Sequence, residues 1–119
     1  PLFNLLFLQF ILMPEIEISN LYERKIITNS TEKRALEIIH ENFIDWMHAC
    51  GKKGRCTTCK MIVEEGMENL GELTSAEERF RNQKRLAKNE RLACQAIVLG
   101  DIKIKVAERN KFPHMEYSD

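Results

Sequence analysis

Four cysteines carry the chemistry that this chain can do. Cys50, Cys56 and Cys59 lie within Cys50-Gly51-Lys52-Lys53-Gly54-Arg55-Cys56-Thr57-Thr58-Cys59, and Cys94 lies within Arg91-Leu92-Ala93-Cys94-Gln95. The pattern is C-x5-C-x2-C, a gap of 34 residues, then C. Thiolates are soft ligands that suit iron–sulfur clusters and zinc. Three on one loop and a fourth on a distant segment are splayed apart. That spread suits an iron–sulfur cluster, which is wider than a single ion and needs N–H groups turned toward its sulfides. Gly51 and Gly54 let the backbone pass close to such a core, and Thr57 and Thr58 offer hydroxyl donors.

Three other uses of the thiols compete. Structural zinc is usually held by two close ligand pairs, whereas Cys94 stands far from the other three and the three histidines are not at ligand spacing. Disulfide frameworks belong to small secreted chains, and no secretory signal is legible. Redox catalysis by Cys56-x-x-Cys59 leaves Cys50 and Cys94 unexplained. Near the loop, Trp46 and Met47 either shield it from water or simply pack in the core. His48 reads as a surface residue rather than a donor to the site, and His40 is assigned no role.

The positioning elements follow from periodicity. Glu15-Ile16-Glu17-Ile18 alternates as a half-buried strand. A turn at Asn20–Glu23 leads to a second strand, Arg24–Thr28, giving a hairpin. Asn29 with Glu32 offers a capping box for a helix carrying Leu36, Ile39 and Phe43 on one face, flanked by Ala35 and Ile38. Lys60–Glu64 reads as a strand leaving the cysteine loop, and the acidic stretch to Glu72 as a loop. Thr74-Ser75-Ala76-Glu77 is a capping box for a helix from Ser75 to about Ala87. Arg91–Leu99 reads as a strand carrying Cys94. Gly100-Asp101 reads as a two-residue hairpin turn into the alternating strand Ile102–Val106.

Composition narrows the function classes. A chain of 119 residues is one domain's worth. Its 18 basic and 18 acidic residues balance to a formal net charge of zero, unlike the strongly basic footprint of nucleic-acid binding. There is no glycine-rich dinucleotide fingerprint, and no room for a flavin or nicotinamide domain. Pro1 to Met13 is apolar and uncharged. It is shorter than the roughly 20 residues of a membrane span and lacks the features of a signal peptide. It reads as a start-site artefact ahead of Met13, with a membrane-surface or partner anchor as the alternative. The expected organisation is this extension at 1–13, the cysteine-bearing domain at 14–107 and a polar surface tail at 108–119.

The cysteine spacing, together with Leu92-Ala93-Cys94-Gln95, resembles the [2Fe–2S] ferredoxins, specifically the adrenodoxin-like and bacterial type with five residues between the first two cysteines. The resemblance covers roughly Pro14 to Val106. It implies an α+β fold of the β-grasp type, a mixed sheet packed on a main helix with the cluster loop at one edge. It implies one [2Fe–2S] cluster per chain, with Cys50 and Cys56 on one iron and Cys59 and Cys94 on the other. The implied function is one-electron transfer without substrate turnover, in a cytoplasmic monomer. The implied partners are a flavin-containing ferredoxin reductase and an acceptor: an oxygenase, a haem-thiolate cytochrome or the iron–sulfur assembly machinery. Nucleic acid and a membrane span are not expected. An electron-entry subunit of a larger complex and a zinc-stabilised interaction module are the rival readings. Two features depart from the family. Lys60 stands where a histidine often follows the third cysteine. The segment that is an acidic docking helix in adrenodoxin-like proteins carries Arg79, Arg81, Lys84, Arg85 and Lys88 against Glu77 and Glu78. It reads either as a solvated face or as a docking surface.

Overall fold

The alternation in Glu15–Ile18 builds strand β1, with Ile16 and Ile18 buried. A turn through Tyr22 and Glu23, both at positive φ, reverses the chain into β2, Arg24–Ile27. The two strands pair antiparallel, Ile16 opposite Ile26. This computed structural model describes residues 13–49 and 57–119. The other strands are β3 (Lys60–Glu65), β4 (Glu90–Leu92) and β5 (Ile102–Val106). Their order across the sheet is β2-β1-β5-β3-β4. β5 lies parallel to β1 and antiparallel to β3, so the sheet is mixed and the architecture is the α+β β-grasp.

Gly100 and Asp101 do not form the expected hairpin, because β5 pairs with β1 and β3 rather than with the segment before it. The connection is fixed from the side instead. Leu99 N–H donates to Asn69 O (2.8 Å), the Asn69 amide donates to Asp101 O (2.7 Å), and Asp101 Oδ1 accepts from Glu15 N–H (3.0 Å).

Helix α1 spans Ala35–Glu41 and buries Ala35, Leu36, Ile38 and Ile39 against the sheet. It starts later than the Asn29 and Glu32 pattern suggests. The N-cap is Arg34, whose N–H donates to Glu37 Oε1 (3.3 Å). The first helical donors are satisfied from far away: Ala35 N–H by Ala96 O and Leu36 N–H by Ala93 O, both at 2.9 Å. Helix starts leave such donors orphaned, so a tertiary cap replaces the side-chain cap. Helix α2 spans Ser75–Asn82 and starts where expected. Thr74 Oγ1 accepts from Glu77 N–H (3.2 Å), and Glu77 Oε1 accepts from Thr74 N–H (3.1 Å). It is shorter than the predicted run to Ala87.

Both helices end in the same left-handed turn. Ile44 N–H reaches Ile39 O while Phe43 N–H reaches His40 O, and Arg85 N–H reaches Phe80 O while Lys84 N–H reaches Arg81 O. Phe43 (φ 59°) and Lys84 (φ 60°) take the residue position that favours glycine. Phe43 therefore leaves the helix face and is 95% exposed, contrary to its expected core role.

The chain after Ala107 folds back on the body. The Asn110 amide donates to the carbonyls of Thr57 and Thr58. Met115 and Tyr117 pack against the core, and Ser118 N–H donates to Asn20 O (3.0 Å). Lys111 bridges Glu108 (2.9 Å) and Asp119 (2.8 Å). The Asp119 hydrogen bond raises the Lys111 pKa, and the Lys111 hydrogen bond lowers that of Asp119. Asn20 is buried beneath this segment. Its amide accepts from Val106 N–H and donates to Val106 O, each at 2.9 Å.

Candidate metal centre

Cys59 and Cys94, 35 positions apart, are brought together in the buried interior, each 1% exposed. Cys59 immediately precedes β3, whose Lys60 pairs with Leu92 of β4. Cys94 was expected within a long strand, but β4 stops at Leu92 and Cys94 sits in the turn that follows. The turn is closed by N–H bonds from Gln95 and Ala96 to Leu92 O, both 2.9 Å. Its outward carbonyls, Ala93 and Ala96, are those that cap α1. The run Arg91–Leu99 is apolar enough for a strand, yet its backbone groups are claimed by a helix start.

Within this turn the Cys94 N–H points at Cys59 Sγ (3.4 Å). The Gln95 side-chain amide lies 3.8 Å from Cys94 Sγ. Cys59 is also held through its carbonyl, which accepts from Ala93 N–H (3.2 Å) and from the Trp46 indole (3.1 Å). Trp46 is buried and Met47 half-buried. Of the two roles the sequence left open, Trp46 takes core packing, and its indole adds a hold on the Cys59 backbone that the sequence did not suggest. His48 is exposed, its ring 5.0 Å from that of His40. Cys50 and Cys56, with Gly51 and Gly54, lie outside the described residues.

Two residues supporting this turn are not evident from the cysteine pattern. Arg91 and Glu77 form a fully enclosed ion pair, Nε to Oε2 at 2.7 Å and Nη2 to Oε1 at 3.0 Å. Glu77 Oε2 also accepts from Leu92 N–H (2.9 Å), and Arg91 Nη2 donates to Glu72 O (3.3 Å). Glu77 is 0% exposed and Arg91 3%. The sequence reading placed Glu77 in the first helical turn as a surface charge. In the fold that same turn packs against β4. The only signal in the sequence is an arginine embedded in an apolar run.

Two buried sulfurs, one facing a backbone N–H, form a donor set that fits a thiolate-ligated cluster, where N–H groups offset sulfur charge. Residues 21–99 match the model of the 2Fe-2S iron-sulfur cluster binding domain. The chain is 33% identical over 90 residues to a 2Fe-2S ferredoxin-5 of Aquifex aeolicus, covering 74% of this chain and 91% of that one. It is 34% identical over 77 residues to a 2Fe-2S ferredoxin of Haemophilus influenzae, covering 64% and 68%. Among solved structures, an ISC-like [2Fe–2S] ferredoxin of Pseudomonas putida superposes with a TM-score of 0.66 at 26% identity, covering 87% of this chain and 99% of that one. A structure titled ferredoxin reductase in carbazole 1,9a-dioxygenase matches with a TM-score of 0.62 at 26% identity, over 87% of this chain and 30% of that one.

The fold and the buried thiol pair define a β-grasp iron–sulfur protein. The chain belongs to the [2Fe–2S] ferredoxin family, with a [2Fe–2S] cluster as its cofactor and ferredoxin-type electron carriage as its class of function. No helix among the described residues is long and apolar enough to cross a membrane.

Proposed function

We propose that Cys50, Cys56, Cys59 and Cys94 ligate the cluster and that the chain is a one-electron carrier. It would run between a flavin-containing ferredoxin reductase and an oxygenase, a haem-thiolate cytochrome or an iron–sulfur assembly system, as a cytoplasmic monomer without substrate turnover of its own. The observation that carries this reading is the approach of Cys94 N–H to Cys59 Sγ across two segments distant in sequence. The cluster supplies a single reversible electron. The protein's part is to exclude water and to fix the sulfur geometry. Trp46 and Ala93 hold the Cys59 backbone, and the Glu77–Arg91 pair holds the strand that delivers Cys94. Burial and N–H donors to sulfur are the levers that set a cluster potential.

A second reading, the electron-entry part of a larger redox enzyme, is supported by the match to a reductase of which this fold forms under a third. Metal and sulfide analysis tests the ligand assignment. The expected content is two irons and two acid-labile sulfides per chain, with a potential on the order of −400 mV. Cys94→Ala should lose most of the cluster. One zinc without sulfide, or unchanged iron in Cys94→Ala, would refute it.

A further inference from the structure

Beyond α2 the chain turns through Lys84 and runs to β4. With Lys60 it encloses a surface cleft of about 500 Å³ lined by Lys60, Arg81, Lys84, Arg85, Leu86 and Lys88, among others. Lys84, Arg85 and Lys88 are exposed, and none of the three forms an ion pair with a described residue. The Arg85 guanidinium is held 5.0 Å from the Phe80 ring centre, a contact that orders it without neutralising it. The other two cations are engaged. Lys60 pairs with Glu90 (3.4 Å), and Arg81 Nη2 donates to the carbonyls of Lys88 and Glu90, both 3.2 Å.

The position of the cleft matters more than its charge count. Lys60 directly follows Cys59, and the strand that starts at Glu90 leads to Cys94. The acidic run Glu64, Glu65 and Glu68 lies at the opposite end of β3. Lys60 and Glu65 are five positions apart, about 16 Å along an extended strand, and Lys88 stands toward the middle of that span, because the carbonyl of the next residue, Asn89, accepts from Val63 N–H (2.7 Å). The acidic run is also partly engaged: the Ser19 hydroxyl donates to Glu64, and Glu65 lies opposite Lys103 in β5.

We propose that this basic cleft is the face on which a redox partner docks, and that the partner presents a cluster of carboxylates to Lys84, Arg85 and Lys88. The proposal rests on the electron-carrier reading above. Electron tunnelling falls steeply with distance, and the cleft reaches the cysteine end of β3 through Lys60, the residue after Cys59. Opposite potentials steer the encounter and fix its orientation. Three exposed cations on a chain of zero net charge are far from the broad basic footprint of a polyanion binder, which favours a carboxylate-bearing protein surface.

The test mixes reduced holoprotein in stopped flow with two haem acceptors of opposite charge, acidic cytochrome b5 and basic cytochrome c. Between ~0.01 M and ~0.1 M salt the screening length shrinks from about 30 Å to about 10 Å. Over that range the rate with the acidic acceptor should fall about tenfold. At the low-salt end K84E/R85E/K88E should slow it about tenfold, and E64K/E65K/E68K should leave it within about twofold. The neutral variant K84Q/R85Q/K88Q should fall between, with cluster absorbance and melting temperature as in the wild type. Rates controlled by the acidic run and indifferent to the basic reversal would overturn the assignment. So would salt-sensitive binding to duplex DNA or anionic vesicles with acceptor rates unmoved by the reversal, which would make the cleft a polyanion site. A low-salt dimer abolished by either reversal would assign the cleft to a second copy of the chain. Transfer to neither acceptor at any salt would sink the carrier reading itself, and the docking face with it.

Discussion

Glu77→Gln separates two roles that one side chain combines. As the N3 residue of a capping box, glutamine serves nearly as well as glutamate. If capping were the whole role, the substitution would be close to neutral. Glu77 is also the buried counter-ion of Arg91, at 2.7 and 3.0 Å, with both residues enclosed. Removing one partner of such a pair leaves an uncompensated buried charge and costs about 3–5 kcal/mol. For a chain of this length each kcal/mol shifts the melting temperature by about 3–5 °C, so Glu77→Gln should lower it by roughly 10 °C or more. Unfolding of a cluster protein is not a simple two-state event. The assay is therefore the apparent melting temperature of the holoprotein together with the rate of loss of cluster absorbance. Glu77 also accepts from Leu92 N–H two residues before Cys94, so both readouts should move together. Pairing the change with Arg91→Met removes the stranded charge and should recover much of the loss, because apolar replacements of buried ion pairs are often neutral. A Glu77→Gln protein melting within about 2 °C of the wild type would refute the ion-pair argument and leave only the cap.

Two further outcomes follow from side chains that hold segments in place. Arg81→Met removes the donor to Lys88 O and Glu90 O. It should cost about 1–2 kcal/mol and speed amide exchange across residues 86–90, while the exposed Lys84→Ala stays within about 0.5 kcal/mol. At the C-terminal segment, the Lys111 hydrogen bond holds the Asp119 carboxyl below its usual range. A depressed carboxylate contributes its stabilisation above the unfolded pKa and loses it as pH falls through the folded value. Protection of the Ser118 amide, taken relative to its intrinsic exchange rate at each pH, should therefore fall below about pH 4, and Asp119→Asn should remove that step. A protection factor flat down to about pH 2 would show that the contact does not anchor the segment.

Much of this fold is legible locally. β1 and β5 announce themselves by alternation, β2 and β3 as short strand runs after a turn and after the cysteine loop, and the start of α2 by Thr74 and Glu77, because each is decided by nearby residues. The misreadings share a different cause. The start of α1 at Arg34 depends on carbonyls of Ala93 and Ala96, some sixty residues away. The same exchange stops β4 at Leu92 and makes Cys94 a turn residue. The termination of both helices uses non-glycine residues at positive φ, which composition does not flag. The buried state of Glu77 and the docked C-terminal segment depend on which surface meets which. The cysteine spacing indicates the chemistry, whereas Arg91, Trp46 and Asn110 become visible as supports only in three dimensions.

The place of β5 has a consequence for the order in which this molecule is made. It is the last strand in sequence and the middle strand of the sheet, pairing Ile102 with Ile16 on one side and Ile104 with Val63 on the other. Until residues 102–106 are available, the β1–β2 and β3–β4 pairs each present an open strand edge, which is a template for unwanted pairing. Closing contacts over such long loops is slow. A growing chain has synthesised all four thiols by residue 94, before the strand that joins the two strand pairs exists. Until β5 is in place, the half of the sheet that carries Cys59 and Cys94 has an uncovered edge, that of β3.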